Sequence, residues 1–255
     1  MAPSTAIFGA VLLAALSAHA VAPPSPEAPV APTLRIRGGS PLRWAGYEWD
    51  VSGDGSWEGG PGGTLRADGP RPAEAVVNGS GGNHFAPDDD GGAAVTLMEQ
   101  GAVTAAGLLL YSAGPGRQAY RVGVCPSSPS PCAFANGTAA PRGHRLLSLS
   151  YRPALGSTTL LAPEVLLPPS PTTSLLVVVG ADGAGFRTFG VVVDGGAVPV
   201  LLHTDLTPPP GGGRYVGLGV GLFSSGAAVN SLPQKERAEV AGGSTVFRNF
   251  SFVGS

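Results

Sequence analysis

Glycine and proline constrain this chain more than any other feature, because 40 Gly and 26 Pro stand among its 255 residues. These are the two poorest helix formers, so the sequence disfavours a helical architecture. Hydrophobic residues make up 43% of the chain, which is enough for a packed core and argues against wholesale disorder. After residue 33, short apolar runs alternate with Gly, Pro and Asp turns, a pattern typical of short β-strands. The sequence therefore predicts an all-β protein.

The first residues predict export from the cell. Residues 6–16 form an apolar run that is too short to span a bilayer but typical of a secretory signal. Ala18-His19-Ala20 then gives a small-x-small cleavage pattern. A buried N-terminal helix is the alternative. We predict a signal peptide at 1–20, a Pro-rich linker at 21–33 and a single domain at 34–255. The expected localisation is extracellular, with no membrane span.

Charge and cysteine content limit the possible partners and cofactors. The net charge is −2 and Lys235 is the only lysine, which argues against a nucleic-acid partner. Cys125 and Cys132 bracket a loop rich in Pro and Ser. In an oxidising compartment this spacing predicts a disulfide. Two free thiols, or half of a metal site with His144, are the alternatives.

Three Asn-x-Ser/Thr sequons predict glycosylation sites at Asn78, Asn136 and Asn249. The first two lie in Gly-rich turn sequence, whereas Asn249 lies in a strand-like run.

Strands are predicted from the apolar runs and hairpins from the turns between them. Asp194-Gly195 tolerates the positive φ of a tight turn, so an antiparallel meander is expected over 174–203. A short helix or exposed loop is expected at 234–240. The clearest strands are expected at 94–98, 107–112, 119–124, 145–151, 158–161, 174–179, 186–193, 198–203, 215–223 and 245–253, with further strands at 34–36 and 43–51.

Several short motifs resemble those of a known superfamily. Phe-Arg-Thr-Phe-Gly-Val-Val-Val-Asp-Gly at 186–195, Arg-Tyr-Val-Gly-Leu-Gly-Val at 214–220 and Val-Phe-Arg-Asn-Phe-Ser-Phe at 246–252 are similar to strands of concanavalin-like lectin and laminin-G-like domains. Trp-Ala-Gly-Tyr-Glu-Trp-Asp-Val at 44–51 resembles the entry strand of family-16-like glucanases, with Gly-rich 59–63 and Asn-His-Phe at 83–85 following in similar order. The resemblance implies an antiparallel β-sandwich of the jelly-roll type.

The catalytic motif of the glucanases is missing from this sequence. Those enzymes carry Glu-x-Asp-x-x-Glu or Glu-x-Asp-x-Glu in mid-domain, with nucleophile and acid about 5 Å apart. None of the eight glutamates of this chain forms that motif there. Glu48-Trp49-Asp50 matches its first half, but in the entry strand, where solvated charge or a partner for Arg43 is the alternative. The absence of this motif therefore disfavours an enzyme, and catalytic activity stays an open alternative.

Two clusters are candidate binding residues. Asp88 and Asp90, in an Asp-Asp-Asp-Gly-Gly run, offer oxygen ligands for a structural calcium, with an acidic turn as the alternative and no other cofactor expected. Tyr47, Trp49 and Trp57 could stack on sugar rings, and Trp57 in a Gly-rich loop is the best candidate for exposure. The alternative is that these aromatics pack the core.

The leading functional hypothesis is a secreted, non-catalytic recognition module for carbohydrate or for a cell-surface or matrix partner, binding a polysaccharide or a glycoprotein glycan. One alternative is a divergent glycoside hydrolase or polysaccharide lyase on the same scaffold. The other is a structural wall or matrix protein without a discrete ligand.

Overall fold

The computed structural model describes residues 35–36, 42–53, 56–68, 72–78, 90–100, 103–126, 132–154, 157–181, 186–206, 219–226 and 244–253. The predicted signal peptide, the linker and the segment 234–240 lie outside these ranges. Within them, strands dominate and the one helical element is a 3-10 turn at Pro61–Gly63. The strands are β1 (Arg35–Ile36), β2 (Leu42–Trp44), β3 (Tyr47–Gly53), β4 (Ser56–Gly60), β5 (Thr64–Asp68), β6 (Ala73–Val77), β7 (Gly91–Gln100), β8 (Val103–Ser112), β9 (Ala119–Cys125), β10 (Arg145–Arg152), β11 (Thr159–Leu160), β12 (Val165–Leu167), β13 (Thr173–Ala181), β14 (Arg187–Val193), β15 (Leu201–Asp205), β16 (Gly219–Gly226) and β17 (Ser244–Val253).

The strands form two antiparallel sheets. Sheet A has the order β1-β4-β5-β17-β7-β13-β14-β15. Sheet B has the order β11-β10-β9-β8-β16-β6-β3-β2, and β12 also pairs with β10. One large apolar cluster draws residues from both sheets, including Trp49, Leu108 and Val122 of sheet B and Leu97, Phe189 and Phe247 of sheet A. This is the predicted antiparallel β-sandwich of the jelly-roll type. No helix among the described residues is long and apolar enough to cross a membrane.

The predicted meander is confirmed, since β13, β14 and β15 are consecutive neighbours in sheet A. Asp194 and Gly195 have φ of 52° and 71°, and the Gly196 N–H donates to the Val193 carbonyl at 3.1 Å. The strand predicted at 198–203 instead runs over Leu201–Asp205. Pro199 explains part of this shift, because proline has no N–H to contribute to a strand ladder.

The single strand predicted at 43–51 is wrong, because this segment is a tight hairpin. Ala45 and Gly46 have φ of 53° and 83° and turn the chain between β2 and β3. Trp44 then pairs with Tyr47, and Arg43 with Glu48. Paired positive φ values match the turn type that suits the right-handed twist of the flanking strands.

Strand β17 contains a β-bulge. The pairing with β7 shifts between Arg248 and Ser251, and Asn249 has φ of 53°. Asn249 is exposed, whereas Phe247 and Phe250 are both buried in the core. In a regular strand these two rings, three residues apart, would lie on opposite faces. The bulge therefore brings both rings to the core face.

Candidate functional site

A second apolar cluster lies on the outer face of sheet B. In β6, Ala73, Ala75 and Val77 point into the sandwich core, so Glu74 and Val76 point outwards. Outward-facing residues of four adjacent strands are nevertheless buried together: Val76, Leu109, Ala119 and Phe223. The outer face of an antiparallel sheet is usually solvated, so other side chains or a loop must cover these four residues.

Gly123 makes room for Phe223 on this face. Phe223 pairs with Gly107 of β8, and Gly107 pairs with Gly123 of β9. A Cβ on Gly123 would lie 2.7 Å from Cζ of Phe223, so a side chain there would collide with the ring. The Arg121 guanidinium lies over the Phe223 ring, with its central carbon 4.1 Å from the ring centroid, which is within cation–π distance. The ring is therefore held between backbone and a cation, and is only 2% exposed.

Glu74 connects distant parts of this face. Its carboxylate accepts hydrogen bonds from both terminal nitrogens of Arg152, with Nη2 to Oε2 at 2.9 Å. The Gly116 N–H donates to Oε2 at 2.6 Å, and Nη2 of Arg121 lies 4.0 Å from Oε1. Glu74 and Arg152 stand on β6 and β10, with β16, β8 and β9 between them. Two side chains can meet across three strands only if the sheet curves towards them, so this outer face is concave.

The loop between β8 and β9 lies over the concave face. Gly116 is bonded to Glu74, and Nε of Arg152 donates to the Arg117 carbonyl at 2.8 Å. We refer to Glu74, Arg121, Arg152 and Phe223 as the concave-face cluster.

The concave-face cluster carries two cations against one anion, a surplus of one positive charge. Burial lowers the pKa of Arg121, the Glu74 carboxylate opposes that shift, and the Arg152 guanidinium adds to it. Arg121 Nε has no hydrogen-bond partner among the described residues. Its side chain and that of Arg152 each keep about a fifth of their surface exposed. Nε itself is buried, so an anion would contact the cluster through the exposed part of these two guanidinium side chains.

Hydroxyl groups continue the polar surface along β10. Ser148 and Ser150 are half-buried, Ser148 pairs with Gly123, and Ser150 pairs with Arg121. Both therefore belong to the same face as the cluster. A ligand on the concave face can thus meet cationic groups and neutral hydroxyl groups together.

The predicted exposure of Trp57 is wrong. Trp57 is 1% exposed and its ring lies 5.9 Å from that of Phe247, and Trp49 is 0% exposed and packs against Phe250 at 4.8 Å. Tyr47 is half-buried at the margin of the same core. The alternative interpretation holds for both tryptophans, because inward positions of β3 and β4 bury these large rings at a substantial hydrophobic gain.

The two carboxylates of β3 each have a partner on a neighbouring segment. Glu48 is ion-paired with Arg43, and Asp50 is 3.5 Å from Nδ2 of Asn78. The interpretation of Glu48 as a partner for Arg43 is confirmed.

The other predicted sites divide into one confirmed and two still untested. Cys125 and Cys132 form the disulfide, with a Cα–Cα distance of 5.9 Å, which excludes free thiols. Asp88 lies outside the described residues and Asp90 is exposed, and no group of three His, Cys, Asp or Glu suited to a metal occurs in the described ranges. The calcium site and the use of the sequons at Asn78, Asn136 and Asn249 stay predictions.

Sequence reasoning missed all four residues of the concave-face cluster. Period two within each strand signals that Glu74 and Val76 share a face, as do Arg121 and Gly123. The order of strands in the sheet brings them together, and that order is not a local property of the sequence.

Comparisons with known proteins concern the fold of the chain. No protein-family model and no curated protein matches it. The carbohydrate recognition domain of Emp47p is 13% identical, covering 81% of this chain and 88% of that chain, with a TM-score of 0.40. Alginate lyase Aly36B is 8% identical over 76% and 81% of the two chains, with a TM-score of 0.39. An alginate lyase from Alteromonas sp. 272 is 13% identical over 71% and 77%, with a TM-score of 0.33.

Proposed function

We propose that this protein is a secreted, non-catalytic module that recognises an acidic glycan on the concave face of sheet B. The observation that supports this most is the pair of arginines, Arg121 and Arg152, around the single carboxylate of Glu74 on a concave surface. The surplus positive charge favours an anionic ligand, and the sequence-based expectation of export favours an extracellular one.

Arg121 is the residue that would contact the acidic group. Arg152 already donates hydrogen bonds to the Glu74 carboxylate and to the Arg117 carbonyl. Arg121 instead lies over Phe223 and 4.0 Å from Glu74, and about a fifth of its side chain is exposed. Guanidinium groups bind carboxylate and sulfate-like groups through parallel hydrogen bonds. The neighbouring Ser148 and Ser150 would accept or donate to sugar hydroxyls.

Hydrolysis is the weaker alternative for this face. Glycoside hydrolysis requires two carboxyl groups flanking the scissile bond. The concave-face cluster contains one, and Glu74 is already bonded to Arg152 and Gly116. A matrix protein without a discrete ligand would need no such cluster.

Isothermal titration of the purified protein with acidic and neutral polysaccharides tests the proposal. Arg121→Gln should weaken binding of the acidic polymer roughly tenfold or more, which corresponds to roughly 1.5–3 kcal/mol for a lost charge-assisted hydrogen bond. Arg43→Gln is the matched control, because it removes the same charge from an 81% exposed side chain of sheet B. Equal losses in the two variants would indicate non-specific charge attraction and overturn the proposal.

Two further measurements separate the alternatives. Chromatography of the polymer after incubation should show no shortening, and shortened products would favour the hydrolase or lyase alternative. Titration with a calcium chelator tests the predicted site at Asp88 and Asp90, since binding that depends on calcium would fall on chelation. A folded protein that binds none of the polymers would favour the matrix role.

A further inference from the structure

Asn136 occupies the tip of a small hairpin next to β10. Ala133 and Ala139 pair as an antiparallel bridge, and the Gly137 N–H donates to the Phe134 carbonyl at 2.8 Å. Gly137 has φ of 85°, which suits glycine at a tight turn. Asn136 is therefore part of a defined turn, and residues 135–139 are all exposed.

The base of this hairpin is fixed to the protein. Cys132 is disulfide-bonded to Cys125 and packs with Ala140 and Leu146 in a small buried cluster. The Ala135 N–H donates to Oε2 of Glu164 at 2.7 Å. The buried base and the exposed tip together project Asn136 into solvent.

The amide group of Asn136 is oriented by its own sequon. Its Oδ1 accepts a hydrogen bond from the Thr138 N–H at 2.9 Å. This is the side-chain turn that asparagine forms with the backbone two residues on. Because the oxygen of the planar amide faces the loop backbone, Nδ2 is directed away from that bond and towards solvent.

The other two sequons are placed differently. Asn78 is half-buried, its N–H donates to the Glu48 carbonyl at 2.7 Å, and its Nδ2 lies 3.5 Å from Asp50. Asn249 is exposed, but it stands in the bulge of β17, and the Ser251 of its sequon is half-buried and paired with Ala94. Sequons that carry glycans are expected in surface loops, and among the described residues Asn136 is the one whose whole sequon lies in an exposed turn, since residues 79–80 lie outside the described ranges.

We infer that Asn136 is the N-glycosylated sequon of the exported protein and that Asn78 and Asn249 stay unmodified. The sugar donor is an oligosaccharide activated as a pyrophosphate ester, supplied with its transferase by the secretory pathway. Nδ2 of Asn136 forms a bond to the anomeric carbon and transfers one proton to a base of the transferase. The bond from that carbon to the pyrophosphate oxygen breaks, and the pyrophosphate leaves with the electron pair.

Peptide mapping by mass spectrometry tests this on the full chain expressed through a eukaryotic secretory pathway. Enzymatic deglycosylation in ¹⁸O water should label Asn136 as aspartate and leave Asn78 and Asn249 unlabelled. This measurement needs no variant and does not depend on polysaccharide binding. Label absent from Asn136, or present at either other sequon, would overturn the inference.

Two variants provide an independent check by gel mobility. Asn136→Gln and Thr138→Ala should each remove the mobility shift that deglycosylation removes from the wild type. Asn78→Gln is the matched control and should leave that shift unchanged. A shift that survives in both Asn136→Gln and Thr138→Ala would place the glycan elsewhere and contradict the inference.

Discussion

The absence of a side chain at Gly123 leaves the space that the Phe223 ring occupies on the concave face. A Cβ at this position would lie 2.7 Å from the Phe223 ring, which is itself held under the Arg121 guanidinium. We expect Gly123→Ala to destabilise the protein by about 1–3 kcal/mol, as overpacking typically does. Chemical denaturation measures this change.

Gly59→Ala is the matched control for that substitution. Gly59 also lies in a strand, but a Cβ there would have no atom within 4 Å. Its free energy of unfolding should stay within about 0.5 kcal/mol of the wild type. Equal destabilisation by both alanines would mean that crowding by Phe223 is not the cause.

Tyr151 should shape the alkaline limit of stability. Burial and then the Asp205 carboxylate raise the pKa of Tyr151 above its usual value. The unfolded chain therefore loses this proton first, at about pH 10. The free energy of unfolding therefore falls as the pH rises from about 10 through the higher pKa of the folded state. Below about pH 10 the ionisation of Tyr151 does not affect stability.

Asp205→Asn tests the cause of that shift. Asparagine keeps an oxygen that can accept the Tyr120 hydroxyl, which donates to Asp205 at 2.7 Å, but it removes the charge. We expect Tyr151→Phe to abolish the contribution of Tyr151 to the alkaline fall in stability. We expect Asp205→Asn to reduce that contribution. Denaturation at several pH values between 8 and 12 measures it, and an unchanged fall would exclude Asp205 as a cause.

At the scale of elements, the bulge of β17 depends on a residue that tolerates positive φ. Asn249 has φ of 53°, which asparagine and glycine adopt more readily than other residues. Asn249→Val should cost about 1–2 kcal/mol of stability, whereas Asn249→Gly should be nearly neutral. Denaturation of unglycosylated protein compares them. A neutral Asn249→Val would show that the bulge is set by packing of Phe247 and Phe250 instead.

The elements also show what a sequence can predict. Each of the ten clearest predicted strands overlaps an observed one, because runs rich in Val and Leu between Gly-rich turns are local signals. Strands β4, β5, β6 and β12 were not predicted. Their sequences are short, and β6 is buried on both faces, so it shows no alternation of apolar and polar residues. Glu74 belongs to that missed strand.

At the scale of the whole molecule, the fold was predictable where the site was not. Composition, turns and short apolar runs predicted an all-β protein, and the resemblance of short motifs to concanavalin-like domains implied the sandwich. The aromatic residues near the N-terminus point inwards, so Trp49 and Trp57 stabilise the core instead of forming a sugar platform. The concave-face cluster instead joins Glu74 to Arg121 and Arg152 through the order of strands in sheet B. Long-range pairing of this kind leaves no mark in any one segment.

The same long-range contact makes Glu74 the residue on which the curvature of sheet B should most depend. Its carboxylate is only 6% exposed and bonds to Arg152 from β10 and to Gly116 from the loop between β8 and β9. Glu74→Gln keeps the shape of the side chain but leaves the guanidinium groups of Arg121 and Arg152 facing each other without an anion. Loss of one partner of a buried pair costs about 3–5 kcal/mol. Denaturation of Glu74→Gln should show a loss of this order.

The double variant Glu74→Gln/Arg152→Gln tests whether unbalanced charge causes the loss of stability in Glu74→Gln. Removing the second cation together with the anion should recover a substantial part of the lost stability, since replacing both partners of a buried ion pair is far less costly than removing one. Because the pair is largely shielded from solvent, the coupling between the two substitutions should change little when the ionic strength is raised. Strictly additive losses would show that Glu74 and Arg152 act independently. The contact across three strands would then not hold the concave face in shape.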